Sequence, residues 1–208
     1  MFPLEFPALY PIVDTDLCAA RGTDPIALAE ACLVGGAKII QLRAKQNTDA
    51  AFLSLADRLR TAAHGFGALL IVNDRADIAL MSEADGVHVG QEDLPVDAVR
   101  RLLGPSAVVG LSTHDRAQVD EGLTTTASYV AVGPVFTTET KATGYGPRGL
   151  SLVSYAANRG KPVVAIGGIT LERAPQVAQA GASGIAVISD LLAGDPEERV
   201  RAFIAALR

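Results

Sequence analysis

One rhythm recurs along this chain without any repeat of its sequence, and it constrains the fold more than anything else. A short run rich in Val and Ile is followed, again and again, by a helical stretch of roughly 8–15 residues. The runs are Leu9–Val13, Lys38–Arg43, Ala68–Asn73, Gly86–Gly90, Val108–Ser112, Tyr129–Pro134, Pro162–Gly168 and Gly184–Ser189. Most are continuously apolar rather than alternating, which predicts parallel strands buried on both faces. Eight such β–α units in 208 residues predict an α/β protein, a (β/α)8 or TIM barrel, with residues 1–208 as one domain near the lower size of that fold. An open, doubly wound sheet is the rival; the even spacing of the units and the lack of a compositional break favour the barrel.

The intervening stretches carry helix signals. Asp24-Pro25 opens one helix and Gly35-Gly36 closes it. Phe52, Leu55, Ala56, Leu59 and Ala63 form one face of the next. Asp195 to Leu207, with Val200, Phe203, Ile204 and Leu207, forms the last. The longest irregular stretch, Val135–Arg148, follows the sixth strand and is a candidate lid.

Composition narrows the function. Hydrophobic residues make up 49% and charged residues 20%, which predicts a globular chain. No apolar run is long enough to span a bilayer, and the start of the chain lacks the basic segment of a signal peptide. The net charge of -5, with no basic stripe, argues against nucleic acid as a partner. Cys18 and Cys32 fit no zinc spacing and no disulfide framework, so the expectation is a reduced, cytoplasmic protein. Whether it forms a homo-oligomer is left open.

In such a barrel, chemistry sits where strands end and helices begin. Lysine is scarce, four copies against fourteen arginines. Lys38 and Lys161 precede strands, whereas Lys45 and Lys141 follow them and join Arg43 at the catalytic face. This local positive charge in an acidic protein suits a multiply charged anion such as pyrophosphate. Asp74 and Asp93 end adjacent strands and are placed to hold Mg²⁺, which commonly takes one or two carboxylates plus phosphate oxygens. Gly167-Gly168 and Ile188-Ser189 suit a second, simple phosphate bound by backbone N–H groups. Plainer readings compete. Asp74 with Asp77, Asp93, Ser112, Thr170 and Ser189 all fit helix N-caps. Arg43 and Lys45 fit surface charges, and His88, inside a strand, fits a hydrogen-bonded core histidine. His114 fits the start of a helix and His64 the end of one.

The stretches “QLRAK”, “LIVNDRADIAL”, “ADGVHVGQEDLP”, “VGLSTH”, “YVAVGPVFTTETK”, “PVVAIGGIT” and “GASGIAVIS” resemble the thiamine phosphate synthase family, in order and along nearly the whole chain. The resemblance implies a barrel that joins hydroxymethylpyrimidine pyrophosphate to thiazole phosphate with release of pyrophosphate, by an Mg²⁺-assisted dissociative substitution. It implies that Gln41, Arg43, Lys45, Asn73, Ser112 and Lys141 contact the pyrimidine pyrophosphate. Asp74 and Asp93 become magnesium ligands, and Thr138, Thr140, Gly168, Ile188 and Ser189 become thiazole-phosphate contacts. The chain departs from the family pattern at Ala44, at Thr137 and in “ATGYGPRG”. The related thiazole tautomerase uses a histidine after the glycine of the sixth strand; here that residue is Pro134, which cannot move a proton. Other rivals are a non-catalytic barrel that binds a phosphorylated metabolite, and a Schiff-base aldolase using Lys45 or Lys141.

Overall fold

Strands that are apolar on both faces need cover on both, and here the sheet closes on itself while helices wrap its outside. The structure, a computed structural model, describes residues 8–138 and 145–208. Its eight strands are β1 (Leu9–Asp14), β2 (Ile39–Arg43), β3 (Leu69–Asn73), β4 (Gly86–Val89), β5 (Val108–Thr113), β6 (Tyr129–Val132), β7 (Val163–Ile166) and β8 (Gly184–Val187). All pairings are parallel between consecutive strands, and Leu9–Pro11 of β1 pairs with Ile185–Val187 of β8 to complete the ring. This is the expected (β/α)8 barrel; the open sheet is excluded.

The surrounding helices are α1 (Thr15–Arg21), α2 (Pro25–Val34), α3 (Asp49–Gly65), α4 (Ala76–Met81), α5 (Val96–Leu103), α6 (Arg116–Thr124), α7 (Gly149–Ala156), α8 (Ala174–Gln179) and α9 (Pro196–Ala206), with a 3-10 turn at Ser189–Leu192. Side-chain caps start many of them. Asp24 accepts from Ala27 N, Thr48 from Ala51 N, Asp115 from Gln118 N and Asp195 from Glu198 N. The short α1 was not legible in the sequence; Asp14 caps it and Gly22, at φ 64°, ends it. No helix among the described residues is long and apolar enough to cross a membrane.

The capping readings fail at all the candidate positions, because the helices begin elsewhere. The cap of α4 is Arg75, with no side-chain cap bond, and Asp77 instead binds Arg75. The cap of α5 is Pro95, not Asp93. Ser112 lies within β5, Arg173 rather than Thr170 precedes α8, and Ile188 precedes the turn that Ser189 begins.

Packing forms two regions. Between strands and helices lies a continuous apolar shell that includes Leu42, Val72, Val87, Val109, Leu59 and Phe203. Inside the barrel, a smaller cluster holds Tyr10, Ile12, Ile39, Ile71, Tyr129, Ala131, Val164 and Ala186. Tyr129 fits in this lumen because a glycine faces it. A Cβ on Gly110 would stand 2.2 Å from Tyr129 Cζ and 2.4 Å from His88 Nδ1.

Candidate active site

Above the lumen, at the carboxyl ends of the strands, opens a cavity of about 850 Å³ counting its mouth. Every strand contributes to its lining, from Tyr10 and Ile12 of β1 round to Ala186 of β8. Of the candidate site residues, Gln41, Arg43, Asn73, Ser112, Thr138, Gly168, Ile188 and Ser189 line it. Lys45, Asp74 and Asp93 are not part of that lining; they form a separate charged cluster next to Asn73. Thr140 and Lys141 lie outside the described residues.

The charged cluster is built by the backbone as much as by the side chains. Asp74 leaves β3 in the left-handed region, at φ 63°, uncommon for a residue other than glycine. Its N–H donates to His88 O of β4 at 2.7 Å, which ties the two strand tips together. Its carboxylate forms an ion pair with Lys45. The Asp93 carboxylate accepts from Gly90 N at 2.7 Å. Burial pushes Asp93 above the usual carboxylate range; the Gly90 N–H opposes this, and the facing, hydrogen-bonded Asp74 adds to it. A carboxyl pair close enough to disfavour double ionisation suits a divalent cation, whose charge would let both ionise. Among the described residues no three His, Cys, Asp or Glu side chains form a metal cage, so a cation held here would take its remaining ligands from phosphate oxygens and water, as suits Mg²⁺.

Arg43 is not a surface charge. Its guanidinium pairs with the buried Asp14 at 2.6 Å, and its Nε is buried with no hydrogen-bond partner. A buried, unpaired donor costs about 1–3 kcal/mol, while the guanidinium as a whole lines the cavity. The expected cationic group is thus internally neutralised: Arg43 is held by Asp14 and Lys45 by Asp74.

The far side of the mouth is made of backbone. Gly167 and Gly168 adopt φ 103° and 62°, and a Cβ there would lie 2.6 Å from Pro134 and 2.4 Å from Thr137 O. That close approach lets Val135 N and Phe136 N donate to Ile166 O and Gly167 O. Asp190 accepts from Leu171 N at 3.0 Å and from Arg199 at 2.7 Å, locking the loop after β7 to the turn after β8. Loops in these positions often hold phosphate in barrels of this kind. The candidate lid is anchored at its return: Tyr145 stacks on His114, and Arg148 N and Gly149 N donate to Pro134 O and Val135 O.

Several cavity residues escaped sequence reasoning. Gln41 Nε2 donates to Tyr10 OH at 2.9 Å, and Tyr10 OH lies 3.2 Å from Tyr129 OH. Tyr129 OH lies 3.0 Å from His88 Nδ1, and His88 Nε2 lies 2.8 Å from Ser112 Oγ. Burial raises the pKa of both phenols, so they stay neutral. His88 is therefore hydrogen-bonded and buried, as expected, but it also lines the cavity. Gln91 donates to Ser112 O at 2.6 Å. The available signal was faint: polar and aromatic residues at inward positions of otherwise aliphatic strands.

Fold and site define a class, the (β/α)8 barrels that work on ligands at the carboxyl ends of their strands. The family model described as thiamine monophosphate synthase matches residues 9–191. A thiamine-phosphate synthase of Chlorobium luteolum is 45% identical over 204 residues, covering 96% of this chain and 92% of that protein. One from Synechococcus sp. strain CC9311 is 45% identical over 180 residues, 86% of this chain but 51% of that longer protein. The solved structure of thiamine phosphate pyrophosphorylase from Pyrococcus furiosus superposes with a TM-score of 0.87 at 30% identity, covering 96% of this chain and 95% of that one. The chain belongs to the thiamine monophosphate synthase family.

Proposed function

We propose that this chain is a thiamine phosphate synthase, a transferase of thiamine biosynthesis that joins hydroxymethylpyrimidine pyrophosphate to thiazole phosphate and releases pyrophosphate, with Mg²⁺ as cofactor. The observation that carries this reading is the placement of Asp74 directly after β3 and Asp93 in the loop after the neighbouring β4, with neither capping a helix. Family membership supports the reaction class.

The reaction breaks the C–O bond to pyrophosphate, with electrons from the pyrimidine amino group stabilising the cation. The thiazole nitrogen then captures that cation. No protein nucleophile is required; the protein has to stabilise the departing charge and hold the second heterocycle in line. Mg²⁺, when held by Asp74 and Asp93, supplies countercharge to the pyrophosphate. Arg43 and Lys45 add to it, Lys45 less because it is 46% exposed and screened by solvent. Gln41, Asn73 and Ser112 receive the pyrimidine. Gly168, Ile188 and Ser189, with Thr138, receive the thiazole phosphate. Ile166 and Ile188 keep water from the cation. Pro134, which lines the cavity, speaks against the tautomerase. The buried, unbonded Cys18 and Cys32 support a reducing, cytoplasmic setting.

The test is direct. Incubated with the two phosphorylated heterocycles, the protein forms thiamine phosphate with Mg²⁺ and loses this activity when the metal is chelated. Tight binding of either heterocycle with no product, at any metal concentration, overturns the reading in favour of a metabolite-binding barrel.

A further inference from the structure

Five side chains from five strands form an unbroken hydrogen-bonded chain across the buried floor of the cavity: Gln41, Tyr10, Tyr129, His88 and Ser112. Its middle members have no role in the proposed reaction, yet its two ends are residues placed against the pyrimidine. Such a chain is directional. Each phenol carries one proton and a neutral imidazole carries one, so the donor at one end decides the donor at the other.

The starting end is set by Gln41, whose amide nitrogen donates to Tyr10 OH. If each hydroxyl then donates onward, Tyr10 donates to Tyr129 and Tyr129 donates to His88 Nδ1. His88 then carries its proton on Nε2 and donates to Ser112 Oγ. Two groups are left for a ligand: the Gln41 Oε1 acceptor and the Ser112 hydroxyl proton. Gln41 is only 3% exposed and lines the cavity, so what its side chain leaves open faces the cavity. Reversing the chain inverts both ends: Gln41 presents its N–H group and Ser112 a lone pair.

We propose that this chain runs from Gln41 to Ser112, and that Tyr10, Tyr129 and His88 are positioning residues that set the site to accept an aminopyrimidine and reject its oxo counterpart. An exocyclic amino group donates to Gln41 Oε1, and a ring nitrogen accepts from Ser112. An oxo-pyrimidine offers an acceptor in place of the amine and carries a proton on a ring nitrogen, so both contacts become repulsive. Gly110 belongs to the device, since any larger residue would displace Tyr129 and His88. The inference rests on the pyrimidine assignment made above, but the hydrogen-bond direction can be read without it.

Two measurements test the proposal. In the free wild-type protein, nitrogen NMR of the His88 ring is expected to show a neutral ring with the proton on Nε2; a proton on Nδ1 overturns the direction. In turnover with thiazole phosphate, wild type is expected to prefer the aminopyrimidine pyrophosphate over its oxo analogue by at least ~100-fold in kcat/KM. Tyr129→Phe removes one oxygen and cuts the chain, and should narrow that preference about tenfold, mainly through KM for the pyrimidine, with KM for thiazole phosphate unchanged. Tyr10→Phe, which cuts it one link earlier, should do the same. Equal losses on both pyrimidines, with the preference intact, mean a structural role and overturn the proposal. Absence of turnover by wild type, with His88 protonated on Nε2, defeats the reading as a synthase and supports the direction of the chain.

Discussion

Around the mouth of the barrel, the loops after β2, β3 and β4 carry Lys45, Asp74 and Asp93, with Arg43 at the tip of β2. The ends of β7 and β8 carry Gly167, Gly168, Ile188 and Ser189. In the proposed reaction, one side meets its anion with charged side chains, the other with backbone. The proposed chemistry explains the division. Pyrophosphate gains charge as its bond to carbon breaks, so its side needs countercharge that can be redirected during the reaction. The thiazole phosphate stays unchanged, and fixed N–H dipoles are enough for it. In the free protein the cations on the first side are already paired, Arg43 with Asp14 and Lys45 with Asp74. Charge is therefore stored in neutral pairs that an arriving pyrophosphate and its metal can rearrange.

The largest break in this comparison should come from Asp74→Asn. Asparagine tolerates the left-handed backbone at this position, so the fold should survive while one carboxylate charge disappears. We expect kcat/KM to fall by about 10²–10³ at fixed Mg²⁺ and the Mg²⁺ concentration for half-activation to rise, with Tm little changed. Unchanged activation by Mg²⁺ would remove the metal from this side of the mouth.

Gly168→Ala should break the other side. The added methyl enters at φ 62° and 2.4 Å from Thr137 O, at a cost of about 1–2 kcal/mol, or roughly 2–8 °C in Tm for a chain of this size. Pushing the loop outward weakens its hold on phosphate. The KM for thiazole phosphate should rise about tenfold or more, with the Mg²⁺ dependence unmoved. A shift in Mg²⁺ dependence instead would show that the two sides are not separate devices.

Much of this division could be read from the chain itself. The barrel is written in Val- and Ile-rich runs that are buried on both faces, and the strand tips could be inventoried once those runs were placed. What could not be read is pairing across the barrel. Arg43 meets Asp14 from 29 residues away, and the chain from Gln41 to Ser112 draws on residues 10, 41, 88, 112 and 129 with no spacing to announce it. The seven-residue α1 is too short for a periodic face. The cap readings went astray because an Asp before a helix looks the same whether it closes a helix end or faces a second carboxylate. The structure separates the two by where α4 and α5 begin.

The smallest effect sharpens the comparison by asking whether charge acts through position or through mere proximity. Arg75 follows Asp74 directly, yet its guanidinium binds Asp49 and Asp77 at 2.6 Å rather than Asp74. Its side chain is 37% exposed, so solvent screens it and each pair contributes only about 0–1 kcal/mol. Arg75→Ala should therefore lower Tm by no more than roughly 8 °C, leave both KM values within about twofold, and leave half-activation by Mg²⁺ in place. The measurement is the Mg²⁺ titration run beside Asp74→Asn. If losing this neighbouring cation tightened Mg²⁺ binding severalfold, the acidic pair would be responding to the net charge of the rim. If nothing moves, the metal responds to the two carboxylates that face each other, and the division of the mouth is set by side-chain placement.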